Sequence, residues 1–352
     1  MCEGEEFGLK NVNEKKKMAS ERQSNIELCR LASILLVMLV HTTVNTFGWN
    51  MSLGTYLLEG FTVIGVNVFV LITGYFSTIP KKTSLVNLAF ICLFWMVIKV
   101  ICRYEYGEPC NIKDLFFLTT SNWFIPSYIG LLFFSPILNS FCKCVNSKMQ
   151  WGVVITLLII EIWFDLLPPR PDMSLGTQRG YSVYSFVVLY LLARAIRLYG
   201  LPAWFKKISP FIYVACSVVL GVVGYSLLAK GYANINGMVF AYSNPLIILS
   251  SVSFLMMFER IHFQSNFINH VSKSTLAVLL GHTAIFFLYQ KQFKYIYDNF
   301  SGLQVVVYWI LSITIVFCAC IAIDQIRLLI YRPIDKLIKT KIKNNNIFEE
   351  NK

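Results

Sequence analysis

The feature that most constrains the fold is a series of apolar runs, each near bilayer length, that recurs from end to end of the 352-residue chain. Such runs are typical of transmembrane helices, because a helix satisfies its own backbone hydrogen bonds inside the hydrocarbon. We predict an all-α fold, a polytopic membrane helical bundle of about ten transmembrane helices. The predicted spans are Ile26–Phe47, Leu57–Ile79, Ser84–Cys102, Trp123–Cys142, Met149–Leu167, Tyr181–Leu198, Pro210–Leu228, Met238–Phe258, Ser274–Tyr289 and Leu303–Ile323.

The composition and the distribution of charge support this prediction. Hydrophobic residues make up 56% of the chain and charged residues 14%, whereas a soluble domain has roughly a quarter charged residues. An even number of spans places both termini on one side. Most of the 31 basic residues then lie on that side, which the positive-inside rule identifies as the cytoplasm. The net charge of +12 therefore indicates topology and contact with membrane lipids, and we expect no nucleic acid as a partner.

The chain divides into one long membrane segment between two short polar ends. Residues 1–24 are predicted to form a polar cytoplasmic N-terminal segment, residues 25–338 a membrane domain, and residues 339–352 a polar cytoplasmic tail. The loops between the predicted spans are too short to build a hydrophobic core of their own. We therefore expect one membrane domain and no second folded domain.

The first predicted span carries a polar stripe that is costly to place in lipid. Arg30 and His41 lie about three helical turns apart, so their side chains point the same way, and His41 lies about 16 Å beyond Arg30. Glu27 lies one turn before Arg30 and can pair with it. Such a stripe should face the bundle interior or a hydrated cavity. A structural histidine bonded to a neighbouring helix would explain the same spacing.

The second predicted span also carries polar and small residues. Gly65 and Gly74 favour close approach of another helix. Asn67 needs a buried hydrogen-bond partner, and Tyr75 lies near the end of the same span. After it, Lys81 and Lys82 are either topology signals or contacts for phosphate groups.

Two residues further along complete the set of candidates. Trp123 lies at the edge of the fourth span, where tryptophan is typical of the membrane interface. His282 lies in the middle of the ninth span, so two histidines on separate helices fall inside the membrane. The sequence alone does not bring them together. Metal-ligand spacings, phosphate-binding loops, dinucleotide fingerprints and GxSxG elbows do not occur, so we expect no metal and no bound cofactor.

Several stretches together resemble the acyltransferase 3 family of integral membrane acyltransferases. They are "IELCRLASILLVMLVHTTV", "GVNVFVLITGYF", "NWFIPSYIGLLFFSPILN", "YSNPLIILSS" and "VSKSTLAVLLGH". In this family an arginine precedes a long apolar run that ends in a histidine. The resemblance covers nearly the whole chain, with the same order of motifs and the same number of spans.

The resemblance implies an O-acyltransferase of the bacterial cytoplasmic membrane. It implies that an acyl group, by expectation acetyl, moves from cytosolic acyl-CoA to a hydroxyl of an envelope polysaccharide or a lipid-linked sugar. His41 would be the catalytic residue and Arg30 its support, with Glu27, Asn67, Tyr75, Trp123 and His282 in supporting positions.

The sequence departs from the family at the expected donor site. Many members carry an RxxR arrangement after the second span, which is associated with coenzyme A. Here the corresponding region has Lys81 and Lys82 and no arginine. Lysine can hold phosphate as a point charge, but it lacks the bidentate geometry of arginine.

Two other functions fit the composition. A glycan or lipid transporter or flippase could use His41 and His282 in a proton or substrate path, and it would move substrate without a covalent product. A non-catalytic subunit of a polysaccharide assembly system would tolerate replacement of His41.

Overall fold

The computed structural model describes residues 23–109, 123–166, 176–232 and 235–350, with side chains described up to residue 340. Most of the predicted polar N-terminal segment, residues 1–22, therefore lies outside the described residues. The helices are α1 Ser24–Thr42, α2 Val44–Phe47, α3 Leu53–Thr62, α4 Gly65–Tyr75, α5 Lys82–Glu105, α6 Phe124–Cys144, α7 Ser147–Leu166, α8 Val183–Tyr199, α9 Ala203–Ala229, α10 Asn236–Val239, α11 Pro245–Glu259, α12 Asn266–Val271, α13 Thr275–Ala284, α14 Phe286–Asn299 and α15 Leu303–Glu350. Short 3₁₀ turns occupy Gln178–Gly180 and Ser272–Ser274.

Within the described residues, seven helical segments are long and apolar enough to cross a membrane. They are Ser24–Phe47, Leu53–Tyr75, Lys82–Glu105, Phe124–Cys144, Ser147–Leu166, Ala203–Ala229 and Leu303–Thr340. Each corresponds to one of the predicted spans. The prediction of an all-α, polytopic membrane bundle is confirmed.

The other three predicted spans are shorter or broken. Helix α8 has 17 residues and α11 has 15. The ninth predicted span is bent by 72° after Ala284 and continues as α14, a bend that the apolar run alone does not indicate. The hydroxyl of Tyr289 donates to the backbone oxygen of His282 at 3.0 Å, so a side chain satisfies a carbonyl at the end of α13. Averaged hydropathy does not detect this bond.

The bundle has an inner group of helices and an outer group. Most residues of α4, α8, α11 and α13 are buried. Helix α4 packs against α1, α8 and α11, while α13 packs against α1, α5 and α15. The outer helices α5, α7, α9 and α15 expose apolar side chains such as Leu93, Ile159, Phe211 and Ile315. In a membrane protein, an apolar outer surface of this kind faces lipid.

Small residues and caps explain how the inner helices are placed. A Cβ atom on Gly65 would lie 2.7 Å from the backbone oxygen of Ser33, and one on Gly74 would lie 2.6 Å from that of Tyr190. The predicted close approach at both glycines is therefore confirmed, with α1 and with α8. Helix α11 begins where Asn244 accepts a hydrogen bond from the backbone N–H of Leu246 at 2.9 Å, a typical N-cap.

Candidate active site

His41 is the second-to-last residue of α1 and lies at the end of the helix opposite to Ser24. The backbone of Thr43 (φ −100°, ψ −96°) interrupts the helix directly after it. The imidazole is partly exposed, and its Nδ1 faces the side-chain amide of Asn45. His41 therefore lies at the end of an unbroken helical stretch, within the longer span Ser24–Phe47.

The two residues after His41 attach this end of α1 to two other helices. The indole Nε1 of Trp309, on α15, donates to the hydroxyl of Thr42 at 2.7 Å. The hydroxyl of Thr43 donates to the buried carboxylate of Glu59, on α3. These contacts fix the position of the imidazole. The sequence analysis missed them, and the only signal for them is the pair of threonines after the histidine.

His282 faces His41 from helix α13. The two ring centroids are 5.1 Å apart and the ring planes are inclined at 59°. His282 is fully buried, and its Nδ1 lies 2.8 Å from the backbone oxygen of Val278. A carbonyl oxygen can only accept, so Nδ1 carries the proton and Nε2 of the neutral ring is an acceptor. Among the described residues, this Nε2 has no hydrogen-bond partner.

Helix α5 holds α13 in place beside the histidines. The indole of Trp95, which is fully buried, packs on Gly281, where a Cβ atom would lie 2.6 Å from the ring. The indole Nε1 is buried and has no hydrogen-bond partner within the described part of the chain. An unpaired N–H donor on Trp95 and the unpaired acceptor of His282 thus lie on neighbouring elements. Nothing in the sequence distinguishes Trp95 from the other apolar residues of its span.

Arg30 and Glu27 form an ion pair away from the histidines. Their side chains lie 3.7 Å apart on successive turns of α1, and the Arg30 guanidinium lies 6.0 Å from the centre of the Phe69 ring. The helical rise places Arg30 about 16 Å and Glu27 about 21 Å from His41. The structure therefore keeps both on the His41 helix without bringing them into contact with that imidazole.

Tyr75, Lys81 and Lys82 lie at the end of the bundle that also carries Ser24 and Arg197, which we call the basic end. The hydroxyl of Tyr75 accepts from Arg197 at 2.7 Å. Tyr75 and Arg197 line a cavity of about 500 Å³ together with Gln23, Asn25, Glu259, His262, Phe263 and Gln264. Lys81 and Lys82 are exposed at the start of α5.

Asn67 and Trp123 belong to a third group of residues. The Asn67 side-chain amide donates to the backbone oxygen of Tyr242 at 2.8 Å. The Trp123 ring lies 5.6 Å from that of Tyr242 and 4.4 Å from that of Tyr181. The predicted supporting residues are therefore divided among four places, and only His282 joins His41.

The arrangement as a whole defines a polytopic membrane protein with a pair of facing imidazoles on two packed helices. Such a pair can accept, hold and return a proton, which is the requirement of general acid–base catalysis. A family model described as an acyltransferase domain matches residues 23–324. The chain belongs to this family, as its sequence motifs indicated, and it is a membrane acyltransferase in the general sense. No curated protein and no solved structure matches the chain.

Proposed function

We propose that this protein is an O-acyltransferase that moves an acetyl group from cytosolic acetyl-CoA to a hydroxyl of an envelope polysaccharide or a lipid-linked sugar. The observation that carries the proposal is the pairing of His41 with His282, whose ring centroids are 5.1 Å apart. Transfer of an acyl group from a thioester sulfur to a hydroxyl oxygen is accelerated by a base near that hydroxyl, and imidazole is the side chain that most often serves.

In the proposed reaction, His41 removes the proton of the acceptor hydroxyl while the oxygen attacks the thioester carbonyl. A carbon–oxygen bond forms, the carbon–sulfur bond breaks, and the imidazolium returns the proton to the departing thiolate. The products are the acetyl ester and free coenzyme A. His41 could carry the acyl group itself in a two-step version, and this alternative uses the same ring.

The surroundings of His41 suit this role. The amide of Asn45 beside Nδ1 can present either its nitrogen or its oxygen, since the two are related by a rotation of the side chain. With the oxygen turned toward Nδ1–H, the lone pair of Nε2 is free to act as the base. Asn45 would then act as a positioning residue that sets the tautomer.

The proposed orientation follows the distribution of charge. The basic end would face the cytosol, with both termini on that side of the bacterial cytoplasmic membrane, and the donor would enter there. Lys81 and Lys82 remain candidates for a first contact with its phosphates. Arg30, paired with Glu27 on the same helix as His41, would orient the donor or balance that carboxylate. The membrane lipids surround the outer helices.

The experiment that tests the proposal is replacement of His41 by alanine, followed by measurement of acetyl transfer from radiolabelled acetyl-CoA in isolated membranes. Removal of a general base lowers a rate by about 10²–10⁴-fold. Mass analysis of the envelope glycans should show the loss of one acyl unit in the same strain. Val40→Ala, a truncation one residue earlier in α1, is the matched control and should keep full activity.

A His41→Ala protein that is present at normal levels and still acetylates the glycans would contradict the proposal. Net movement of an unmodified glycan or lipid across the membrane, without a covalent product, would favour a transporter. Single-turnover experiments with labelled acetyl-CoA and no acceptor separate the two chemical routes, because only the two-step route leaves label on the protein.

A further inference from the structure

A second cavity at the basic end has a cationic rim, and part of that rim lies beyond the region that the family model matches. Its volume is about 420 Å³. Its lining residues are Thr83, Ser84, Asn87, His270, Lys273, Gln325, Leu328, Tyr331, Arg332, Asp335 and Lys339. We propose that this cavity, which we call the cationic pocket, binds the phosphate-bearing end of coenzyme A. This assignment rests on the proposed acyl transfer.

The rim of the cationic pocket suits an anion with several phosphates. Lys273 and Arg332 are exposed and have no acidic partner in the described part of the chain. Lys339 lies 2.5 Å from the Asp335 carboxylate, so one cation is balanced and two are free. Arginine binds phosphate with two parallel hydrogen bonds. Arg332 would thus bind the donor phosphates in place of the RxxR arginines that this sequence lacks.

The walls of the cationic pocket are held by buried polar contacts, so the site is built before a ligand binds. Arg327 and Asp324, both buried, form an ion pair at 2.5 Å. The Arg327 guanidinium also donates to the Asn87 side chain at 3.0 Å, which joins α15 to α5. Gln325 donates to the hydroxyl of Ser274 at 3.3 Å, which joins α15 to the turn before α13. The flexible cationic side chains of the rim are thus attached to helices whose positions are fixed by these buried contacts.

The other cavity at the basic end suits this ligand less well. Its cation, Arg197, already donates to Tyr75 at 2.7 Å. A carboxylate, Glu259, also lines that cavity. This carboxylate is paired with Lys206 at 3.1 Å, as Asp335 is with Lys339 in the cationic pocket, so the carboxylates do not distinguish the two cavities. The cations do, because Lys273 and Arg332 have no acidic partner among the described residues. The charges therefore favour the cationic pocket.

A smaller, mainly apolar cavity adjoins the cationic pocket. It has a volume of about 160 Å³ and shares Ser84 and Asn87 with the cationic pocket. Its walls are mainly apolar and include Leu88, Ile91 and Leu276. Water-soluble phosphates would stay at the rim, while the narrow pantetheine arm could enter the apolar part.

The buried stripe of α5 leads from the apolar cavity to the histidine pair. The buried residues of this helix in the described structure are Leu88, Ile91 and Trp95, one above the other at helical spacing. The helix rises about 16 Å from Ser84 to Trp95, a length that an extended pantetheine arm can cover. At the upper end, the unpaired indole N–H of Trp95 could donate to the thioester carbonyl. Trp95 packs against Gly281 there, so the arm would have to part α5 from α13.

The family match ends at residue 324, before Arg332 and Lys339. The cationic rim is therefore supplied in large part by the extension of α15 beyond the matched region. This explains how a chain without the RxxR arginines could still bind the donor. The donor phosphates would then depend on Lys273, which lies within the stretch "VSKSTLAVLLGH", and on Arg332, which lies beyond the matched region.

The test is binding of coenzyme A to the purified full-length protein in phosphatidylcholine nanodiscs. Lys273→Gln with Arg332→Gln should weaken coenzyme A and adenosine 3′,5′-bisphosphate alike, by about 10- to 100-fold, because two charge-assisted contacts are lost. The matched control is Lys143→Gln with Lys148→Gln, which removes two exposed charges next to the loop between α6 and α7. Its affinity should equal that of the wild type.

A second variant tests the apolar part of the path. Leu276→Trp should fill the 160 Å³ cavity, abolish acetyl transfer and leave binding of adenosine 3′,5′-bisphosphate unchanged, since this probe has no pantetheine arm. Leu276→Met, which nearly conserves volume, should retain transfer.

The assignment would be overturned if the Lys273/Arg332 variant bound coenzyme A as tightly as the control did. It would also be overturned if that variant lost only its enrichment of phosphatidylglycerol from mixed nanodiscs, because the rim would then be a lipid site. A wild-type protein that binds no coenzyme A would instead overturn the proposed acyl transfer. These outcomes are distinguishable in one set of titrations.

Discussion

The histidine pair and the cationic pocket hold their polar groups in different ways. His282 has no exposed surface, and its ring is fixed by the backbone of Val278 at 2.8 Å. Lys273 and Arg332 are exposed on long, flexible side chains. Ordering such side chains costs up to about 2 kcal/mol each in rotamer entropy, whereas a buried ring has already lost that freedom. We therefore assign proton transfer to the fixed histidine rings and binding of the donor phosphates to the mobile lysine and arginine side chains.

The two regions nevertheless share their supporting helices. Helix α13 packs against both α5 and α15, and these three helices carry His282, Trp95 and Arg332. A change in the packing of α5 on α13 should therefore affect the histidine pair directly and the rim only weakly. Substitutions at the histidines should have large effects, and substitutions in the packing around them should have graded ones.

Among substitutions that separate acetyl transfer from coenzyme A binding, we expect the largest effect at His282. His282→Asn keeps a side-chain N–H close to the position of Nδ1 and can still donate to Val278, but it removes Nε2. We expect acetyl transfer to fall by about 10²-fold or more, as for loss of an acid–base group, with coenzyme A binding unchanged. The measurement is transfer from labelled acetyl-CoA beside a binding titration.

His282→Gln is the matched variant for this comparison. Glutamine places a polar atom near the position of Nε2 and gives up the bond to Val278, so it should retain more activity than asparagine and lose more stability. Equal activity of the asparagine variant and the wild type would show that Nε2 takes no part. His282 would then be a structural residue, and the chemical role assigned to the histidine pair, in contrast to the cationic pocket, would be wrong.

The next effect concerns the packing of α5 on α13. Gly281→Ala places a methyl group 2.6 Å from the Trp95 ring, so one helix must shift. Overpacking of this kind costs about 1–3 kcal/mol of unfolding free energy, and it should lower acetyl transfer while rim binding is retained. Thermal unfolding in detergent gives the stability change.

Gly152→Ala is the matched control for this change. A Cβ atom on Gly152, in α7, would meet no atom within 4 Å, so its stability should stay the same or rise slightly, because alanine favours helix. If both alanine variants unfolded at the same temperature, the contact between Trp95 and Gly281 would not hold α13 in place.

The sequence predicted the class of fold because the apolar runs are a one-dimensional signal. Long runs such as Lys82–Glu105 and Phe124–Cys144 appear in the structure close to their predicted bounds, whereas Ala203–Ala229 begins earlier than the predicted Pro210. The polar stripe of α1 was also predictable, since helical periodicity places Arg30 and His41 on one face. The resemblance to the acyltransferase family was carried by the same stretches of sequence.

The meeting of His41 with His282 could not be predicted from spacing. It depends on the packing of α13 beside α1 and on the bend after Ala284, which a bond between Tyr289 and His282 accompanies. Trp95 was missed for a similar reason, because an apolar helix with one tryptophan looks like an ordinary span. The cationic pocket is built from three distant parts of the chain, so only the tertiary structure brings its charges together.

The smallest effect is expected where α15 supports the end of α1. Trp309→Phe removes the indole N–H that donates to Thr42 at 2.7 Å and keeps most of the buried ring. The hydroxyl of Thr42 still donates to the backbone oxygen of Leu39 at 2.7 Å, so the loss is one hydrogen bond worth about 0.5–1.5 kcal/mol. We expect a small loss of stability and a decrease in acetyl transfer of less than about tenfold, because His41 keeps its helix but loses one of two attachments.

Trp163→Phe, on the exposed face of α7, is the matched control and should change neither stability nor acetyl transfer. A Trp309→Phe protein as impaired as His41→Ala would mean that the end of α1 is not fixed by the contact between Thr43 and Glu59, and that the rigidity assigned to the histidine pair depends on α15 alone.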